Sequence, residues 1–212
     1  MVNEEIITYP GWPVTVVHDV LASLGTWAPW VWHFFGVLFL IIGFVLIYSR
    51  HSGIVQSRWH IDWLFLLSIS ALTFLLRLPN IVLPELNSDE SQFIAGAATL
   101  VQDFRPWLVV DGTTSGPLNI IPLTVVGYLG GGMNYGSIRV LVTVVCIIPI
   151  CILFYFTLKR LLLPTRAKLL SLPLPLFFAY QINTDFIAFN SETFPMLLTA
   201  AVLLVAIRLL QE

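Results

Sequence analysis

Charge interrupts this chain so rarely that whole stretches of helix length carry almost none, and this restricts the fold more than any other feature. Only 10% of the 212 residues are charged and 58% are hydrophobic, whereas an ordinary soluble domain is about 25% charged. A bilayer core about 30 Å thick is crossed by about 20 mostly apolar residues of helix. Residues 30–48, begun after the natural helix start at Pro29, form the first candidate span; the others are 61–82, a shorter 117–133, 139–157, 169–187 and 193–210. A soluble helical protein would need charged outer faces on these helices, and they have none. The expected class is an all-α integral membrane protein with about five to six transmembrane helices.

The N-terminus does not read as a secretory signal, because Glu4, Glu5 and Asp19 precede the first span and no Lys or Arg does. Residues 1–27 are expected to form an extracytoplasmic arm. Trp27, Trp30 and Trp32 mark its entry into the membrane, since aromatic rings with a polar edge favour the headgroup level. Residues 28–60 then hold the first helix and its cytoplasmic loop, and 61–212 the main transmembrane module. Cys146 and Cys151 both fall inside an apolar run, so no disulfide framework or metal spacing is indicated. Without a basic block or a phosphate-binding glycine loop, the net charge of -2 gives no reason to expect nucleic acid as a partner.

Short cytoplasmic loops are enriched in Lys and Arg, which orients the first spans. The loop between the first two carries Arg50 and Arg58, whereas residues 83–116 carry Glu85, Asp89, Glu90, Asp103 and Asp111 against Arg105. The acidic segment is therefore expected outside the cytoplasm, in a multi-pass protein of the plasma or inner membrane. Beyond it two paths stay open. If 117–133 crosses, the loop with Lys159, Arg160, Arg166 and Lys168 lies outside; if it is re-entrant, that loop is cytoplasmic and Glu192 joins Asp89 on the outer side.

Residues 83–116 are where spanning stops. Pro79 and Pro84 end the preceding helix. From Asp89 to Phe104, the residues Phe93, Ala97, Leu100, Val101 and Phe104 recur at helical spacing, which predicts an amphipathic helix along the membrane surface. Asn87 is the expected N-cap, with Glu90 three residues on and both acids at the positive end of the helix dipole. The same position also suits a carboxylate serving as general base at a membrane-exposed cavity. Adjacent helical residues point about 100° apart, so one of Asp89 and Glu90 faces a reaction centre while the other is free to meet a cation such as Arg77. Arg77 and Arg139 each read either as interfacial anchors or as guanidinium forks for a phosphate or carboxylate. Asp185, Asn190, Ser191 and Glu192 form a polar break between two apolar runs.

The order of these features resembles the GT-C superfamily of membrane glycosyltransferases. The features are Arg77-Leu-Pro79, Asp89-Glu90, a surface helix, Ser115-Gly-Pro-Leu118 at the entry to the next span, and Gly136-Ser-Ile-Arg139. The branch that looks most similar contains protein O-mannosyltransferases, lipid A aminoarabinose transferases and rhizobial galacturonosyltransferases. Its frequent His-Pro-Pro-Leu is replaced here by Ser115-Gly-Pro-Leu118. The resemblance covers residues 61–212. It implies inverting transfer of a sugar from a polyprenyl-phosphate donor to an extracytoplasmic acceptor, with no metal and no cofactor beyond that donor. Asp89 and Glu90 become the catalytic candidates, and Arg77, Asp111, Ser115, Asn119, Arg139 and Glu192 the substrate-binding ones. Members of the branch are usually longer, which implies an N-terminal part of an enzyme or a protein partner that completes it. The competing expectation is a non-catalytic membrane subunit or transporter fragment whose acidic loop binds a partner.

Overall fold

The computed structural model describes residues 19–20, 22–48, 58–83, 86–110, 116–180 and 184–212, and among them every regular element is helical. Helix α1 spans Ala28–Tyr48 and α2 Arg58–Val82. The shorter α3, Ser88–Gln102, precedes two 3-10 turns, Pro117–Asn119 and Ile121–Leu123, which lead into α4, Thr124–Tyr128. Helix α5 runs continuously over Tyr135–Leu161, followed by α6 (Pro164–Ser171), α7 (Pro173–Tyr180), the single turn α8 (Thr184–Ile187) and α9 (Thr193–Leu209).

The expected count of about five to six spans is corrected by this geometry. Among the described residues, two helical segments are long and apolar enough to cross a membrane: Asp62–Val82 within α2, and Tyr135–Leu161. The 27 residues of α5 reach about 40 Å at 1.5 Å per residue. The stretch 169–187 reads as one apolar run, yet it is divided at Leu172, because Pro173 cannot continue the hydrogen-bond ladder of α6. The third expected span becomes the short apolar segment Pro117–Tyr128, and α9, Thr193–Leu209, has 17 residues. The first expected span lies within α1, where several side chains fall outside the described residues.

Contacts at both ends show that α2 and α5 are antiparallel. At one end Asp62 of α2 pairs with Lys159 of α5 and with Lys168 of α6 (3.2 Å), and accepts the Tyr155 hydroxyl at 3.0 Å. At the other, Arg139 near the start of α5 reaches the Asn80 carbonyl of α2 at 3.0 Å. Between them Phe65, Ile69 and Leu76 of α2 pack with Tyr155, Ala167 and Ala179. Helix α5 accommodates Pro149 through a π-helical segment, Thr143–Ile147, just before it, where the Ile148 N–H bonds the Thr143 carbonyl.

Helix α3 carries the expected apolar stripe, of which Phe93, Ala97 and Leu100 lie against protein while Phe104, beyond the helix end, is exposed. Phe93, Ala97 and Leu100 are buried with Leu123, Val126 and Ile138 of the α4–α5 region. The approach is close at Gly127, where an added Cβ would lie 2.6 Å from Val101 Cγ2. Gly127→Ala is therefore expected to overpack this contact and lower stability by about 1–3 kcal/mol. A reversible denaturation series in detergent micelles checks this, with Gly130→Ala unsuitable as a control because Gly130 has a φ of 76°.

Candidate functional site

The acidic end of the bundle is organised by two arginines. Glu90 and Arg139 form a forked pair, with Nε to Oε1 at 2.9 Å and Nη2 to Oε2 at 2.5 Å, and neither side chain is more than 1% exposed. The remaining Arg139 nitrogen, Nη1, donates to the Asn80 carbonyl (3.0 Å) in the last turn of α2 and to the Leu83 carbonyl (2.6 Å) just after it. Glu90 Oε1 also accepts the Phe189 N–H at 3.1 Å. One ion pair thus fastens α2, α3, α5 and the segment after α8. The Tyr135 ring, one helical turn before Arg139, lies 5.5 Å from the guanidinium carbon, and its hydroxyl is 3.0 Å from Ser91 of α3.

Arg77 is also buried, at 2% exposure, but its acceptors are not carboxylates. It donates to the carbonyls of Phe178 (2.6 Å), Phe186 (3.4 Å) and Ile187 (3.1 Å), and through Nε to Thr143 Oγ1 at 3.1 Å. Phe178 lies in α7, and Phe186 and Ile187 in α8. Thr143 opens the π segment of α5, so Arg77 joins three helical elements. Asn80 adds a bond from Nδ2 to the Ala179 carbonyl at 3.3 Å.

The structure places the sequence candidates other than Asp111 and Ser115. Asp89 is exposed in the first turn of α3, and its N–H is held by the Asn87 side chain at 2.9 Å. Glu90 points inward, and of the two arginines its partner is Arg139, while Arg77, the example the sequence offered, leans toward α7 and α8. Both forks are engaged in internal contacts, that of Arg139 with Glu90 and the Asn80 and Leu83 carbonyls, and that of Arg77 with Thr143 and the carbonyls of α7 and α8. Asn119 is buried in the 3-10 turn after Pro117, and Glu192 is exposed beside Ser191, whose hydroxyl donates to it at 2.8 Å. Asp111 and Ser115 lie outside the described residues. The sequence reading missed Asn80, Thr143 and Tyr135. Only Tyr135 had a visible signal, its one-turn spacing from Arg139.

A groove of about 330 Å³ runs beside α3, lined by Gln92, Gly96 and Thr99 and closed by Val109, Val110 and Ile120. Asp89, Gln92, Gly96 and Thr99 follow one another at helical spacing, so Asp89 heads the face along which the groove runs. Past the end of α3, Arg105 pairs with the C-cap Asp103 and holds its carboxyl below the usual carboxylate range. Trp107 follows with φ of 72°, a left-handed turn that lays its ring against Gly116. Among the described residues, no cluster of three or more His, Cys, Asp or Glu side chains is arranged to hold a metal.

Among the described residues, the fold and site define a helical bundle with two antiparallel helices of membrane-spanning length, pinned at one end by a buried Arg–Glu pair beneath an acidic surface helix. No protein-family model, curated protein or solved structure matches the chain.

Proposed function

We propose that this chain is a membrane-embedded glycosyltransferase of the GT-C type, transferring a sugar from a polyprenyl-phosphate donor to an acceptor on the acidic side. The observation that carries the reading is the division of labour within Asp89-Glu90. Glu90 is committed to Arg139, while Asp89 is exposed in a capped first turn, one helical turn before Gln92 of the α3 groove. A water-accessible carboxylate one turn from a groove suits general-base chemistry.

In this reading α2 and α5 cross the bilayer in opposite senses. The acidic end faces away from the cytoplasm because Lys159, Arg160, Arg166 and Lys168 gather at the other end. The acceptor hydroxyl oxygen bonds to the anomeric carbon as the bond from that carbon to the lipid phosphate breaks, with inversion. Asp89 takes the hydroxyl proton, and the bonding electrons leave with the phosphate. Arg77, Arg139 and Glu90 together leave one positive charge in excess beneath α3. That charge favours an anionic leaving group through space without direct contact.

The test is transfer from a labelled polyprenyl-phosphate sugar by membranes carrying the wild-type chain or Asp89→Asn. Loss of a positioned base is expected to slow transfer by about 10²–10⁴-fold. Undiminished transfer by the variant removes Asp89 from the mechanism. A second reading rests on the commitment of both arginines and Glu90 to internal contacts: a non-catalytic membrane subunit whose exposed Asp89 and Glu192 meet a partner. A stoichiometric co-purifying protein, with no sugar transfer by either component, favours that alternative.

A further inference from the structure

At the end of α5 remote from Glu90 a second groove opens between α5 and α9, with a volume of about 460 Å³. Phe156, Lys159 and Arg160 line it from α5, and Leu204, Val205 and Arg208 from α9. On each helix the apolar residues come first and the cation follows three or four positions later, so both contribute an apolar wall and a cationic rim at the same end. The Gln211 side-chain amide donates to the Arg160 carbonyl at 2.9 Å and ties the two helix ends together there. Some 20 residues of α5 separate Arg160 from Arg139, about 30 Å of helix, so this groove is separate from the acidic site.

We propose that this groove binds an anionic phospholipid, the phosphate at the Arg160–Arg208 rim and the start of an acyl chain along Phe156, Leu204 and Val205. Three features point to that occupant. Helix α5 has the length and apolarity to span a membrane, and its last turn carries Lys159 and Arg160, which places the rim at headgroup depth. Among the described residues the Arg160 side chain has no hydrogen-bond or ion-pair partner, so its guanidinium is available. Arg208 is held only by Glu212, at 3.2 Å, with both side chains more than 60% exposed, a pair easily exchanged for a lipid phosphate. Lys159 is shared with Asp62 and adds to the field more than to the contact. The negative ends of α5 and α9 also point here, but their partial charges are outweighed by the full charges of the rim. A free anion would use the rim alone. The continuous apolar wall below it is what selects a lipid, and this inference does not depend on the reading of Asp89.

The experiment is native mass spectrometry of the full chain released from a neutral detergent. Phosphatidylglycerol and phosphatidylcholine of identical acyl chains are added in turn, with inorganic phosphate as competitor. The expected result is preferential retention of phosphatidylglycerol, on the order of ten-fold. Arg160→Gln with Arg208→Gln abolishes that preference while helicity by circular dichroism is unchanged, both residues being exposed. Leu204→Trp, which fills the apolar part, lowers retention of phosphatidylglycerol with the rim intact. Arg166→Gln, an exposed cation of α6, leaves the preference unaltered. Equal retention of the two lipids by the wild type overturns the proposal. So does full preference in the double variant, an equal loss in Arg166→Gln, or complete displacement of phosphatidylglycerol by millimolar phosphate.

Discussion

Replacing Glu90 with Gln is expected to destabilise the folded protein by about 3–5 kcal/mol, although the change removes no atom of packing volume. Glu90 has no exposed surface and Arg139 is 1% exposed, so the neutral amide leaves a guanidinium buried without its counter-charge. Gln can accept from one Arg139 nitrogen, but its amide NH2 then opposes the other, where Oε2 now lies 2.5 Å away. The Phe189 N–H, bonded to Oε1, is drawn into the same conflict. The double variant Glu90→Leu, Arg139→Met separates this account from a simple count of lost bonds. Removing both charges eliminates the uncompensated one, and stability is expected to return toward wild type. The neighbouring Asp89→Asn should stay within about 1 kcal/mol, losing only an exposed helix-dipole interaction. Unfolding curves in SDS–detergent mixtures measure all three. A Glu90→Gln cost no greater than that of Asp89→Asn would show that the pair is solvated in the working protein.

That contrast between adjacent acids was partly legible beforehand. Helical geometry requires Asp89 and Glu90 to diverge, and the stripe of Phe93, Ala97 and Leu100 identifies the inward face, which lies nearer Glu90. The inward partner was not legible, since Arg77 and Arg139 are equally plausible cations in the sequence. The choice depends on α2 pointing Arg77 toward α7 and α8. Backbone carbonyls, which hold Arg77 entirely apart from Thr143, leave no residue-type signature. Hydropathy overcounted the spans among the described residues, because an average over 169–187 does not register the division at Pro173. The π segment of α5 was hidden for a related reason. Pro149 shows that a ladder bond is missing, but not that Thr143–Ile147 would loosen to accommodate it.

Arg77 supplies the other large effect, and its physical basis differs from that of Glu90. Arg77→Met keeps most of the apolar stem and removes the fork, leaving the carbonyls of Phe178 and Ile187 and the Thr143 hydroxyl without their donor. Each buried group so abandoned costs about 1–3 kcal/mol, and a total loss of several kcal/mol is expected. The loss should be uneven. The fork joins α7 and α8 to the π segment, so amide exchange should rise first over residues 184–190 and in the last turn of α7, while α3 and its core retain protection. Arg77→Lys discriminates between charge and geometry. Lysine preserves the positive charge, but its single ammonium cannot reach four acceptors spread over α5, α7 and α8, so it should recover little of the loss. Near-complete recovery by lysine would mean that the cation alone matters, and that the carbonyls of α7 and α8 are held by charge–dipole attraction without the directed bonds of the fork.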